Sequence, residues 1–188
     1  MARKRMLNTF REAQAAGPYG ELPVLTEEVD PQFFVSRNDR PQPFFLTCEK
    51  DTILVQMSGI STIHFLSSSV NYFKAVPGDF IYIPAGTSHR IIPQEESVQY
   101  RIKARKSGTE AVSFRCPQCS SELMRQVWNS DEEVSQEAYL RAVTRFNGNE
   151  QQRTCSKCGA SHPLIDLHGY RWRQIADELR SDTAAQAW

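Results

Sequence analysis

The sequence predicts an all-β fold, a sandwich or a barrel, followed by a small metal-binding region. The first observation is a series of short runs rich in β-branched and aromatic residues between residues 31 and 128, among them QFFVSR, TILVQM and SVQYRIKA. Turn residues separate these runs, and many short strands at regular spacing are typical of sandwiches and barrels. The second observation is a pair of C-x-x-C motifs, Cys116–Cys119 and Cys155–Cys158.

The composition is that of a globular chain and argues against several classes of protein. Of 188 residues, 40% are hydrophobic, and 22 basic residues balance 22 acidic ones. A protein that binds nucleic acid or a membrane surface through charge is usually more basic. The N-terminus lacks the apolar segment of a signal peptide, and no apolar run is long enough to span a bilayer. We therefore expect a cytoplasmic protein with neither nucleic-acid nor membrane partners.

Helices are predicted on both sides of the strand-rich segment. LNTFREAQAAG predicts a short N-terminal helix, which Asn8 or Thr9 caps and Gly17 ends. SDEEVSQEAYLRAVTRFNG predicts a second helix, with Ser130 and Glu133 as a capping box. YRWRQIADELR predicts a third, amphipathic helix near the C-terminus.

The four paired cysteines predict a metal site. In a reducing compartment, two C-x-x-C pairs are more often metal ligands than disulfides, and four thiolates close a tetrahedral shell around zinc or iron. A closed shell leaves no position for substrate, so we expect a structural metal, with the second helix as an excursion between the two knuckles. The alternative is a set of reduced or redox-active thiols. Cys48 stands alone and is interpreted as a small core residue.

A further stretch, VPGDFIYIPAGTSHRI, is similar to the second motif of the cupin superfamily, in which a histidine points into a jelly-roll barrel and binds a metal. ILVQMSG resembles the end of the first cupin motif. The fragments FFLTCEKDTILVQMSG, GDFIYIPAGTSHR, FRCPQC and CSKCGASHP occur in this order, so residues 35–165 resemble 3-hydroxyanthranilate 3,4-dioxygenase in its bacterial form with a rubredoxin-like site. The resemblance implies a small aromatic acid as substrate and a homodimer.

The same resemblance implies a catalytic Fe(II) held by two histidines and a glutamate, but this chain keeps only one of these ligands. His89 matches the last histidine, whereas Thr52 stands at the position of the glutamate. The first histidine is replaced by Phe44 or Leu46, depending on the alignment. We therefore do not expect the family's usual iron triad.

Other family positions are also altered. Arg40 matches the arginine that holds the substrate carboxylate, while only Arg90 is available for the second arginine. Lys103 stands nearest to the family's catalytic glutamate. The predicted catalytic residues are accordingly His89, Arg40, Lys103 and Glu49.

Three alternatives remain open for the barrel. Cys48, Glu49 or Asp51 would complete a different ligand set with His89, because thiolates and carboxylates both bind iron. His64 would join another constellation if it points inward, or lie on an outward strand face. The third alternative is a barrel without metal.

The run QYRIKAR leaves two orientations open. Its alternation places Gln99, Arg101, Lys103 and Arg105 on one face and Val98, Tyr100, Ile102 and Ala104 on the other. Burial alone predicts that the apolar face lies inward, whereas the family alignment places Lys103 inward and makes the pocket basic.

We divide the chain into an N-terminal extension (1–30), a cupin jelly roll (31–112), a rubredoxin-like Cys₄ region with a helical insertion (113–165), and a C-terminal helix and tail (166–188). The function expected is that of a divergent enzyme acting on a small aromatic acid without ordinary ring cleavage. The alternatives are a non-catalytic binding or scaffold protein and an Fe(II) dioxygenase with an altered ligand set.

Overall fold

A computed structural model describes residues 7–26, 28–66 and 71–186 of the chain. The strands, in chain order, are β1 Leu22–Pro23, β2 Gln32–Asn38, β3 Phe45–Cys48, β4 Thr52–Ser58, β5 Ser61–Phe65, β6 Tyr72–Ala75, β7 Phe80–Ile83, β8 His89–Pro93, β9 Ser97–Lys103, β10 Thr109–Arg115 and β11 Glu122–Asn129. The helices are α1 Thr9–Ala16, α2 Ser135–Asn147, α3 Glu150–Arg153 and α4 Trp172–Gln186.

The strands form two antiparallel sheets, as the all-β prediction requires. The first sheet has the order β1-β2-β9-β4-β7, and the second has the order β11-β10-β3-β8-β5-β6. Neighbours in both sheets pair antiparallel, for example Val35 with Tyr100 in the first and Ile63 with Ile91 in the second. The predicted fold class, mainly β with a few helices, is confirmed.

The main core lies between the two sheets. Leu54 and Ile83 from the first sheet pack in one cluster with Leu46, Ile63 and Val112 from the second. The same cluster continues under α2, where Phe146 stacks on Phe114 with ring centroids 4.2 Å apart. Glu110, Val112 and Phe114 lie on one face of β10, so this face serves both the barrel interior and the helix.

A second core covers the outer face of the first sheet. Val35, Val98 and Tyr100 pack there against Ala13 of α1 and Ile175 of α4. Strands β2 and β9 of the first sheet are therefore buried on both faces, which frees their inner face from the need to be apolar.

The helix predictions are confirmed in place but not in every detail. The Asn8 side chain accepts a hydrogen bond from the Arg11 N–H at the start of α1, and Gly17 ends that helix. The predicted capping box of α2 is wrong, because the helix begins five residues later, after Val134. Ser130 instead donates to the Gly108 carbonyl, and Glu133 pairs with Arg141.

Trp172 joins the C-terminal helix to the rest of the molecule. It is almost fully buried against Phe44, Tyr139 and Tyr170, and its Nε1–H donates to the Tyr19 carbonyl at 2.8 Å. No helix within the described ranges is both long and apolar enough to cross a membrane.

Candidate functional site

The inner face of β9 is polar. Gln99, Arg101 and Lys103 point into the barrel and are each 3% exposed. The family alignment therefore gave the right orientation, and the expectation that the apolar face lies inward is wrong. The physical reason is the second core: α1 and α4 cover Val98 and Tyr100 on the outside, so both faces of this strand are buried.

Glu21 is the partner that makes this polar interior possible. Arg101 Nε donates to Glu21 Oε1 at 2.8 Å, and Lys103 Nζ donates to Oε2 at 3.0 Å. The Tyr139 hydroxyl of α2 also donates to Oε2, at 3.0 Å. Three donors from two elements thus converge on one carboxylate that is almost fully buried.

A second carboxylate, Glu110 of β10, balances the remaining cation. Lys103 Nζ donates to Glu110 Oε1 at 2.8 Å, and the Ser135 hydroxyl donates to Oε2 at 3.2 Å. Two buried cations and two buried carboxylates then give a network without net charge, as buried ions require.

The ionisation of Glu21 follows from its partners. Burial alone would raise the pKa of this carboxyl, but Lys103 and Arg101 outweigh burial and lower the pKa to about 2. Burial would lower the pKa of Lys103, yet Glu110 and Glu21 raise it above the usual value. Glu21, Arg101 and Lys103 therefore stay charged at neutral pH.

His89 lies at the edge of the same network and is fully buried. Its Nδ1–H donates to the Thr87 carbonyl at 3.1 Å, so Nε2 is the acceptor for Arg101 Nη1 at 2.8 Å. Burial and the Arg101 charge lower the pKa of His89 to about 3. The imidazole is neutral, and the lone pair on its Nε2 already accepts a hydrogen bond from the Arg101 cation.

The residues in the barrel do not fit the iron of the family. A metal on His89 Nε2 would stand where the Arg101 guanidinium stands, and like charges repel. Thr52 fills the position of the glutamate, and Phe44 or Leu46 fills that of the first histidine; the Thr52 hydroxyl has no hydrogen-bond partner in the described part of the chain. Within residues 7–26, 28–66 and 71–186, one group of three or more His, Cys, Asp or Glu side chains lies close enough together to share a metal. That group is the four paired cysteines.

The alternative ligands lie elsewhere. Cys48 is buried, burial raises the pKa of its thiol to about 12, and among the described residues it belongs to no group of ligands close enough to share a metal. Glu49 is on the surface and accepts a hydrogen bond from the Thr109 N–H at 2.7 Å. Asp51 accepts one from the Ala85 N–H at 2.8 Å. His64 is half-buried on the face of β5 opposite to Ile63, beside Tyr72.

Both arginines lie outside the barrel interior, Arg40 in contrast to the role that the resemblance implies and Arg90 as alternation along its strand predicts. Arg40 lies outside the barrel, where it pairs with Asp39, donates to the His168 carbonyl and covers the Tyr170 ring. Arg90 is directed away from the interior and donates to the Gln42 carbonyl at 2.6 Å. Of the four predicted catalytic residues, the structure brings together His89 and Lys103, whereas Arg40 and Glu49 remain at the surface.

The space left inside is small. Beside Glu21, Gln99 and Arg101 the interior holds a cavity of about 10 Å³, which is the size of one water molecule. A larger cleft of about 160 Å³ runs inward from Arg105 and Ser130 and ends at Lys103, Glu21 and Glu110. The ion network therefore closes the barrel and forms the floor of this cleft.

Sequence analysis missed Glu21 altogether. The residue follows a helix end and a turn, in the extension that precedes the predicted barrel, and no motif contains it. The only available signal was indirect: a strand with two basic residues on a buried face needs carboxylates from outside that strand.

The paired cysteines form the second candidate site. The four sulfur atoms all lie within 4.8 Å of one another, and two pairs, Cys116 with Cys158 and Cys119 with Cys155, are 3.5 Å apart. Four thiolates at the usual Zn–S distance have sulfur separations of about 3.8 Å. The donor set and its spacing therefore fit a tetrahedral metal ion.

The two halves of this site have the same backbone. Cys116 N–H donates to the Ser121 carbonyl, and Cys155 N–H donates to the Ala160 carbonyl, both at 2.9 Å. In each knuckle the residue after the second cysteine has a positive φ, 57° at Ser120 and 75° at Gly159. The first knuckle joins β10 to β11, so the metal site caps the hairpin that carries Glu110.

Comparison with known proteins gives similarity to solved structures only. No family model matches the chain, and no curated protein matches it. A hydroquinone 1,2-dioxygenase from Sphingomonas with bound 4-hydroxybenzoate is 15% identical and has a TM-score of 0.46, with 52% of this chain and 72% of that chain covered. A cupin-2 domain protein from Shewanella frigidimarina is 19% identical at a TM-score of 0.44, with coverage of 53% and 94%.

A protein from Neisseria meningitidis is 16% identical at a TM-score of 0.44, with 54% of this chain and 99% of that chain covered. Cupin proteins are thus among the structures to which the chain is similar. None of these three is described as a 3-hydroxyanthranilate dioxygenase.

The knuckle geometry predicts that Cys155→Ser abolishes metal binding. We expect purified Cys155→Ser to lose the metal found in the wild type and to unfold at a lower temperature, because a structural metal contributes directly to folding. Elemental analysis and thermal unfolding measure both quantities. Cys48→Ser is the matched control and keeps its metal. An unchanged metal content in Cys155→Ser contradicts the site.

The neutral state of His89 predicts acid sensitivity. Its folded pKa of about 3 lies below the ordinary value of 6.5, so the unfolded chain binds a proton first as the pH falls. Stability should therefore decrease below pH 6.5, by up to about 1.4 kcal/mol per pH unit from this residue. Urea unfolding between pH 7 and 5 measures the slope. His89→Gln should reduce it and His64→Gln should not; equal slopes in all three proteins would refute the assignment.

Proposed function

We propose that the chain is a cupin-fold binding or scaffold protein, without the iron chemistry of the dioxygenases it resembles in sequence. The observation that carries this proposal is the contact between His89 Nε2 and Arg101 Nη1 at 2.8 Å. The one family ligand that the sequence keeps already has a partner, and that partner is a cation. The other two positions hold poor iron ligands, Thr52 for the glutamate and Phe44 or Leu46 for the first histidine.

The interior also favours binding or structure over turnover. With a cavity of about 10 Å³ beside Arg101, an aromatic acid cannot reach His89 while Glu21 stays in place. The ion network links β9, β10, α2 and the segment before β1, so it has the contacts of a structural element. In this proposal the Cys₄ site, with zinc or iron, is a second structural element at the end of β10 and β11.

A second candidate function is an enzyme for a small aromatic acid that uses no metal in the barrel. It is favoured by one observation, that the cleft of about 160 Å³ ends at Lys103. A substrate carboxylate would bind to that ammonium group, and His89 would accept a proton on Nε2 once Arg101 had moved away from that atom. This candidate requires Glu21 to leave the network, so the geometry supports it less well.

The decisive test is loading with Fe(II) under anaerobic conditions, followed by addition of 3-hydroxyanthranilate and oxygen. We expect no ring-opened product at a rate above the protein-free background. The reason is that His89 is the one family ligand present, and its Nε2 already binds Arg101. Absorbance of the product and elemental analysis before and after loading are the measurements. Rapid ring opening by the wild type would overturn the proposal.

We also propose a homodimer formed through the free sheet edges. β7 is one edge strand of the first sheet and β6 is one edge strand of the second, and they expose Phe80 (70%), Tyr82 (57%) and Tyr72 (63%). Two copies of β7 can pair antiparallel about a two-fold axis, which covers both the unpaired backbone and the aromatic rings.

The dimer proposal predicts that light scattering gives twice the chain mass for the wild type. Phe80→Glu should shift the protein toward monomer, because it places two like charges at the two-fold axis. Val127→Glu, at a residue that is 50% exposed on the other edge strand of the second sheet, β11, should leave the mass unchanged, because the proposed pairing uses β7. A monomeric wild type at micromolar concentration would remove the dimer.

A further inference from the structure

The Glu21 carboxylate occupies the barrel interior in the way that a bound carboxylate ligand would. Its carboxylate receives Arg101 Nε at 2.8 Å on one oxygen, and Lys103 Nζ and the Tyr139 hydroxyl on the other, both at 3.0 Å. A guanidinium on one oxygen and an ammonium with a phenol on the other are the contacts by which proteins recognise a free carboxylate.

The two carboxylates of the network reach it in different ways. Glu110 projects from the middle of the second sheet, between the hydrogen-bonded neighbours β3 and β11. Glu21 comes from the irregular segment between α1 and β1. The donors are therefore fixed by regular structure, whereas the carboxylate of Glu21 is delivered by a loop.

The segment that delivers Glu21 is strained. Tyr19 and Glu21 have positive φ values of 48° and 44°, which is uncommon for residues other than glycine. Between them, a Cβ added to Gly20 would lie 2.1 Å from the Ala16 carbonyl oxygen, so no other residue fits there. Strain of this kind persists where the surroundings hold it. Here the Glu21 N–H donates to the Ser36 hydroxyl, the Gln136 amide donates to the Gly20 and Glu21 carbonyls, and the barrel donors bind the Glu21 carboxylate.

The network also has a route to the outside. The cleft of about 160 Å³ is lined by Glu21, Lys103 and Glu110 at its inner end and by Arg105 and Ser130 further out. A small anion that takes the place of the Glu21 carboxylate therefore has both a path and the charge it needs. Without any carboxylate at this position, Arg101 and Lys103 face Glu110 alone and leave one buried positive charge unbalanced.

We propose that Arg101, Lys103 and Tyr139 form a carboxylate-binding site, filled by Glu21 in this structure and by a small free carboxylate when the Glu21 side chain is absent or withdrawn. The inference deepens the proposed binding function by naming the class of ligand. It rests on that proposal in one respect, that the ion network closes the barrel.

The test uses Glu21→Ala in the full-length protein with acetate as the probe. This substitution deletes the atoms beyond Cβ, and acetate replaces them one for one. Thermal unfolding is followed at pH 7 while sodium acetate replaces sodium chloride at constant ionic strength. At about ten times its dissociation constant, acetate should raise the Tm of Glu21→Ala by roughly 3–6 °C in a saturable manner.

Two variants serve as matched controls. Glu21→Gln keeps the shape of the side chain and fills the space, so acetate should act on it no more than chloride does, as in the wild type. Glu21→Ala combined with Lys103→Met removes one donor and should lose most of the acetate response. An equal response in the double variant would locate acetate elsewhere and overturn the proposal.

The remaining outcomes are also decisive. If Glu21→Ala unfolds at the same temperature in acetate and chloride, the site does not exist as described. If the variant is unfolded in chloride, recovery of the native fold in acetate supports the site, and failure in both salts contradicts it. Dioxygenase activity of the wild type would overturn the proposed function but not this site, so the two failures are distinguishable.

Discussion

The fold depends on one buried interaction, the pairing of Glu21 with Arg101 and Lys103. Removing one partner of a buried ion pair typically costs about 3–5 kcal/mol, because it leaves an uncompensated charge in a medium of low dielectric. Here the carboxylate lies outside the two sheets in sequence, whereas both cations lie in the middle of the first sheet. The segment before β1 is therefore a part of the barrel interior, and α1, which precedes it, is drawn onto the outer face of the same sheet.

This interaction also explains the asymmetry of the interior. The second sheet contributes apolar side chains such as Ile63, Ile91 and Val112, while the inner face of β2 and β9 is polar. Asn38 and Gln99 share a hydrogen bond of 3.0 Å within that polar half. A jelly-roll barrel that holds a metal or a substrate needs an interior with open polar groups. In this chain the polar groups bind one another, so the barrel is filled by its own side chains.

The sequence was sufficient for features with a local pattern. The spacing of the cysteines predicted the Cys₄ cluster, and the stretch before His89 predicted an inward histidine, because both depend on residues close together in the chain. The orientation of β9 was left open, since alternation identifies two faces but not which elements cover them. Glu21 was missed because its role depends on Arg101 and Lys103, 80 and 82 residues away in sequence. The surface positions of Arg40 and Glu49 likewise follow from contacts with distant segments, which no motif records.

The two candidate sites are not independent, because β10 connects them. Glu110 lies near the start of this strand and holds Lys103, while Cys116 follows its last residue. A metal at the four cysteines would tie the end of the β10–β11 hairpin to the knuckle at Cys155 and Cys158, beyond α2. The same α2 supplies Tyr139 and Ser135 to the ion network. The hairpin and the helix are thus fixed at one end by the cysteines and at the other by buried carboxylates, and the position of the donors around Glu21 is set from both ends.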